Sequence, residues 1–322
     1  MKFLKFFLVF LFLLGLIFLF FYFYGPQKIQ TSFQPILQSE QTWSLIGVGD
    51  IQLSREVASK IDLYGVDYPF EKTADLTGSA NLTIGNLESP FFEGESNTDP
   101  NTMIFGAELK SVAGLKNAGF DALNLANNHF SNQGKEGENL TMDVLTKNDI
   151  NYFGTPEQPL IKTIKNNRIA FLGYSEPTMD AGQVKLDIES AKAKADTIIV
   201  SIHAGYEYTP YANSRQIEFA RAAVDAGAEV VLGHHPHVVQ GIEDYKGKKI
   251  FYSLGNFIFD QPWSEETKQG LMVKLNFEGK YLTSTELIPI KIENWCQPRI
   301  LASDEKEYQT ILERIKTASD KL

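Results

Sequence analysis

The chain has a single cysteine, Cys296, among 322 residues, so no internal disulfide can form. It also lacks an excess of basic charge, with 30 Lys and Arg against 40 Asp and Glu. That balance argues against non-specific nucleic-acid binding, which needs a basic footprint. No His-Glu-x-x-His and no Ser or Cys nucleophile motif occurs, so a secreted peptidase or glycosidase has no support. No repeat is visible, and histidine is scarce, with five in the whole chain. What remains is ordinary globular composition, 43% hydrophobic, which excludes wholesale disorder.

The one long hydrophobic run lies at the start. Phe6 to Tyr24 is uncharged and broken only by Gly15, and nine of the 23 Phe fall in the first 23 residues. A helix needs roughly 20 apolar residues to cross a bilayer. Lys2 and Lys5 precede the run and no basic residue follows until Lys28, which places the N-terminus in the cytoplasm and the rest outside. A cleaved signal peptide would have a shorter apolar region ending in small residues, whereas this run exits through Tyr22-Phe23-Tyr24-Gly25-Pro26. The expectation is a retained anchor over residues 1–25. Residues 26–43, with five Gln, two Pro and no periodicity, read as a linker.

From Ser44 onward short apolar runs alternate with amphipathic ones. Strands are expected near 44–49, 81–85, 122–126, 168–174, 197–202, 229–232, 249–254, 271–276 and 281–292. Helices are expected over 108–117, 137–147 and 214–226. The alternation predicts an α/β layered domain over 44–300 with helices on both faces of its sheets. A last helix in 301–322, started by an Asp304 cap with Glu307 three residues on, presents Tyr308, Ile311, Leu312, Ile315 and Ala318 as one packing stripe. Cys296, with no His beside it, reads as a small packed apolar residue.

The histidines carry the chemistry, because every one stands just past an expected strand, the edge where open α/β sheets bind ligands. Asp50, Glu88, the Asn127-Asn128-His129 run, His203 and the His234-His235-Pro236-His237 run occupy five such exits. Carboxylate, amide oxygen and imidazole form a donor set for Mn, Fe or Zn, one ion or two, and the absence of thiolate argues against a purely structural zinc site. Pro236 disfavours a helical His235, so the segment should be extended, with His235 and His237 facing one centre and His234 pointing away. Asn128 is placed to offer its amide oxygen to a metal, and His129 to protonate a leaving alkoxide. Arg55 reads equally as an anion clamp or as half of a surface salt bridge. Tyr252 to Asp260 reads as a strand pair with Gly255 and Asn256 as its turn, Asn256 lining the rim of the site.

Gly49-Asp50-Ile51-Gln52-Leu53-Ser54-Arg55, Asn86-Leu87-Glu88, Leu125 to His129, Gly233 to His237 and Tyr252 to Asp260 together resemble the CapA proteins of poly-γ-glutamate capsule synthesis. The resemblance implies a calcineurin-like metallophosphoesterase fold, two packed sheets flanked by helices in four layers, carried on a transmembrane anchor. It further implies metal ligation by Asp50, Glu88, Asn128, His203, His235 and His237, proton donation by His129, and membrane polymer-synthesis proteins and an anionic polymer or phosphate ester as partners. Gln52 stands where phosphoesterases carry a His ligand, Glu88 where they favour Asp, Asn132 where Asp is usual in the CapA pattern, and Ala204 where Trp is common. The missing His ligand keeps a rival open, a non-catalytic metal-binding scaffold of a polymer-synthesis complex.

Overall fold

The indole of Trp43 lies flat against Phe277, ring centres 4.0 Å apart, and donates from Nε1 to Gly279 O at 2.8 Å. This contact starts the first strand earlier than expected. The structure is a computed structural model describing residues 41–156 and 159–322, so the expected anchor and most of the linker lie outside the described residues. Among the described residues no helix is long and apolar enough to cross a membrane.

The first half forms β1 (Thr42–Ile51), α1 (Arg55–Tyr64), α2 (Ala74–Thr77), β2 (Leu82–Leu87), β3 (Phe91–Phe92), β4 (Ala107–Glu108), α3 (Val112–Asn117), β5 (Ala122–Asn124), α4 (Gly134–Lys147) and β6 (Asn151–Phe153). Then come β7 (Leu160–Ile164), β8 (Asn167–Ser175), α5 (Ala181–Lys192), β9 (Thr197–His203), α6 (Ser214–Ala226), β10 (Val230–His234), β11 (Ile242–Tyr245) and β12 (Lys248–Phe251). The chain closes with β13 (Asn256–Ile258), β14 (Gln269–Glu278), β15 (Tyr281–Glu293), β16 (Gln297–Ile300) and α7 (Lys306–Ser319).

One sheet runs β16-β15-β14-β1-β2-β5-β6 with β13 paired to β1, and the other runs β11-β12-β10-β9-β8-β7. Around the site the pairings are parallel: β1 with β2 and β13, β2 with β5, and β9 with β8 and β10. Period-two alternation divides each strand between two cores. Leu45, Ile84 and Val273 of the first sheet share one apolar cluster with Phe171, Ile199 and Val230 of the second, so the sheets pack face to face. Ile46 and Val48 turn the other way, against α1, α3 and α4, while Ala170, Val200 and Val231 turn against α5 and α6. Helices therefore cover the outer face of each sheet. Each fully buried Leu, Ile or Phe contributes about 1.5–3 kcal/mol.

Local signals set the helix starts. Asn213 caps α6 in a reciprocal box with Gln216, and Asp180 caps α5 by accepting from Gln183 N. The expected Asp304 cap is not used. The last helix begins after Glu305, which accepts from Ala302 N and from Arg299, and its Ile311 and Ile315 join the cluster between the sheets. Cys296 is fully buried among apolar side chains, and burial pushes its thiol up to about 12.

Close backbone approach brings the strand ends together. A Cβ on Gly49 would sit 1.9 Å from Gly255 O, and one on Gly233 would sit 2.0 Å from Tyr252 O. Neither neighbour is a flexible side-chain tip, so relief requires separating strands. Gly49→Ala is therefore expected to lower the unfolding free energy by about 3 kcal/mol, read from denaturant midpoints. A change below about 1 kcal/mol would show that β1 and β13 tolerate separation.

Candidate metal centre

β1 delivers Asp50 at its C-terminal end, between Asn86 of β2 and Asn256 of β13 in register, with ladder irregularities on either side. Such bulges re-aim side chains beside functional sites. Across the sheet interface, His203 ends β9 directly opposite His234 of β10. These ends converge on Asn86. Its Nδ2 lies 2.9 Å from Asp50 Oδ1, 3.2 Å from Glu88 Oε1 and 3.1 Å from His203 Nδ1. Two amide protons face three acceptors, so one acceptor is left short. Asn124 of β5 holds the amide in place by donating to Asn86 Oδ1 at 2.9 Å.

Asp50 is also approached by three histidine residues. His234 Nδ1 lies 3.3 Å from Oδ1, His237 Nδ1 lies 3.5 Å from Oδ2, and the His235 backbone N donates to Oδ2 at 3.2 Å. Burial alone would raise the Asp50 pKa, but the His234 and His237 imidazoles hold it well below the usual carboxylate range. Glu88 goes the other way, pushed well up by burial and then by the charge of Asp50. Burial likewise lowers His203 and His235, so both favour the neutral form that binds metal.

Two ligand groups result, each with one donor atom per residue lying within 4.8 Å of the others. Asp50, Glu88 and His203 form a buried group, while Glu207, His235 and His237 grade from exposed to buried. Six buried side-chain atoms lack a hydrogen-bond partner among the described residues, and five belong to Gln52, Arg55, Glu88, His234 and His235, at or beside this rim. Glu88 Oε2 is the telling one. A buried carboxylate oxygen with no donor is costly unless a cation faces it, so the donor set fits a divalent ion.

A family model described as bacterial capsule synthesis protein PGA_cap matches residues 44–261. The chain belongs to this capsule synthesis family. It is 33% identical over 290 residues to "Capsule biosynthesis protein CapA" of Bacillus anthracis, covering 80% of this chain and 70% of that one. It is 30% identical over 305 residues to "PGA biosynthesis protein CapA" of Bacillus subtilis (strain 168), covering 88% and 80% respectively. Among solved structures, a hypothetical protein from Thermus thermophilus superposes with a TM-score of 0.51 at 15% identity, over 78% of this chain and all of that one, a likeness of fold alone.

Within the capsule-family segment, the structure brings Asp50, Glu88, Asn128, His203, His235 and His237 to one rim; Asn128 Oδ1 sits 2.8 Å from His203 Nε2. His129 lies on the same loop. Its Nδ1 is 3.0 Å from Asn132 Oδ1, an atom that also accepts from Phe105 N, so Nδ1 carries the proton and Nε2 keeps its lone pair. Burial lowers the His129 pKa to about 4, against the smaller raising effect of Asn132. Asn256 is buried, and its Oδ1 accepts from His237 Nδ1 at 2.9 Å, which orients that ring. Asn127 braces the loop by donating to Leu87 O and accepting from His129 N. Arg55 is buried against Asp260 with its guanidinium 4.9 Å from the Phe105 ring centre, which is the pairing half of the two readings but inside the protein.

Three local expectations are corrected. His235 and His237 are not extended but left-handed, at φ 96° and 58°, because Asp50 takes the His235 N–H and Tyr208 N donates to Pro236 O at 2.8 Å. His234 does not point away; it is buried against Asp50. Asn256 is not in a turn but opens β13 beside β1. Sequence reasoning quoted Asn86 in a motif without giving it a role, though the period of two aims it to the same side as Glu88 just past β2, and it missed Glu207, which no strand exit announces.

Two like charges about 4 Å apart repel by about 4 kcal/mol at an effective dielectric near 20. Because burial and that repulsion push Glu88 toward its protonated form, Glu88→Gln should remove the cost of keeping this acid buried in chelator-treated protein at neutral pH, leaving its melting temperature equal to or above that of the wild type. Added Mn should stabilise the wild type, by about 2.7 kcal/mol at a hundredfold excess over Kd, and stabilise Glu88→Gln by less. A lower melting temperature for the metal-free variant would contradict the repulsion.

Proposed function

We infer that this chain is a membrane-anchored protein facing out of the cytoplasm, whose metallophosphoesterase-type site serves the synthesis, export or anchoring of a surface polymer of the poly-γ-glutamate type. The polymer assignment is supported by the names of the two Bacillus relatives and by a "Probable polyglutamine synthesis accessory protein" of Mycobacterium tuberculosis, 25% identical over 142 residues. The anchor rests on the uncharged run Phe6 to Tyr24. Partners are membrane proteins of polymer synthesis, and the substrate is a phosphate ester or phosphate-bearing precursor of an anionic polymer. A calcineurin-like fold is supported by two face-to-face sheets with helices on each outer face.

The carrying observation is the buried Asp50–Glu88 pair ringed by His203, His235 and His237, with the open Nε2 of His129 on the adjoining loop. A divalent cation held there supplies Lewis acidity at a phosphoryl oxygen and neutralises developing charge. The chain's residues move the proton. As water attacks phosphorus and the ester P–O bond breaks, His129, uncharged at neutral pH, accepts the water proton at Nε2 and passes it to the leaving alkoxide, while Asn132 fixes the ring through Nδ1. Phe105 stacks on that ring at 4.0 Å and shields one face from water. Arg55, under Phe105 and paired with Asp260, holds this wall in place.

The test is turnover of a chromogenic phosphodiester by purified full-length protein. Mn should support turnover, a chelator should abolish it, and His129→Ala should lower kcat by about 10²–10⁴-fold without changing metal content. Asn132 favours the scaffold reading, since a neutral amide gives less support to a protonated imidazole than a carboxylate would. Metal-loaded protein without turnover, together with normal polymer production by His129→Ala cells, would decide for the scaffold.

A further inference from the structure

We propose that Glu207 is a metal ligand, holding with His235 and His237 an outer cation next to the inner one of Asp50, Glu88 and His203. The proposal rests on the metal-centre reading above and adds a ligand from a segment that reading does not use. Glu207 lies four residues beyond His203, on the loop between β9 and α6. Its carboxylate makes no ion pair with Lys or Arg among the described residues, and it approaches the donor atoms of His235 and His237 within 4.8 Å.

An exposed acid on a loop is by itself unremarkable. This one is held. Gly205 N donates to Glu176 Oε2 at 3.1 Å, Tyr208 N donates to Pro236 O at 2.8 Å, and Gln240 Nε2 donates to Thr209 O at 2.8 Å. The second bond ties Glu207's neighbour to the residue between the two histidines, so the two loops are joined beside the site. Tyr208, His235 and His237 all sit in the left-handed region, at φ 60°, 96° and 58°. Such residues persist where the surroundings over-determine them, as at ligand-holding sites. His235 Nδ1, buried and without a hydrogen-bond partner, is a further donor left available here.

The chemistry of a two-imidazole, one-carboxylate set suits Zn, Mn or Fe. Because Glu207 is exposed while Asp50, Glu88 and His203 are buried, the two ions differ in access. The outer ion exchanges faster and faces solvent, where an anionic substrate arrives.

The experiment is Mn titration of chelator-stripped full-length protein, followed by calorimetry, elemental analysis and electron paramagnetic resonance. Wild type should take up two ions and give the signal of a coupled pair. Glu207→Gln should keep the tighter ion within about twofold, weaken the other by about tenfold or more, and show an isolated Mn signal. Glu207→Asp should restore part of the loss, which a purely structural role for the loop would not. Glu207→Gln binding both ions within about twofold of wild type would overturn the assignment and leave the proposed function standing. Wild-type protein that binds no metal would overturn both.

Discussion

Two carboxylates buried around one amide are the constraint to which the rest of the molecule answers. Asp50 and Glu88 come from neighbouring parallel strands and share Asn86 Nδ2, with no lysine or arginine paired to either among the described residues. Burial and mutual repulsion separate them: Asp50 stays ionised under its histidines, and Glu88 is pushed toward the protonated form. Such a divergence marks functional pairs more often than structural ones. A divalent cation would resolve it, because it would turn repulsion between the carboxylates into shared attraction and give Glu88 Oε2 a partner.

The fold produces that pair by bringing the ends of two sheets to one rim. Gly49 and Gly233 let backbones approach where any side chain would collide, and they immediately precede the Asp50 and His234-His235 positions. Left-handed residues then turn the loops inward. Arg55, Tyr208, His235 and His237 all adopt positive φ around the same centre, and each is fixed by a bond to another segment of the rim. Packing between the sheets therefore sustains local conformations that an isolated loop would abandon.

Much of this is legible in the sequence because strands announce themselves by alternation and ligands collect at their exits. Asp50, Glu88, His203, His235 and His237 stand out that way, and they do meet. What stays hidden depends on pairing between distant segments. Asn256 beside Gly255 reads locally as a turn, yet β13 is only three residues long and takes its extended form from β1. The His235-Pro236-His237 segment reads as extended, because the Pro236 ring restricts its neighbour; Asp50 and Tyr208, far away in sequence, decide otherwise. Glu207 carries no signal, since an acidic residue in a polar loop is ordinary until its neighbours are known to be pinned. Neither reading of Arg55, clamp or surface pair, puts its charge inside the protein, and only Asp260, more than 200 positions later, makes that burial possible.

The most direct measurement is diffraction from crystals of Mn-loaded protein, with anomalous scattering used to locate the ions. The account predicts a peak within coordination distance of Asp50, Glu88 Oε2 and His203. Peaks only at surface carboxylates, with Glu88 Oε2 still lacking any partner, would contradict it.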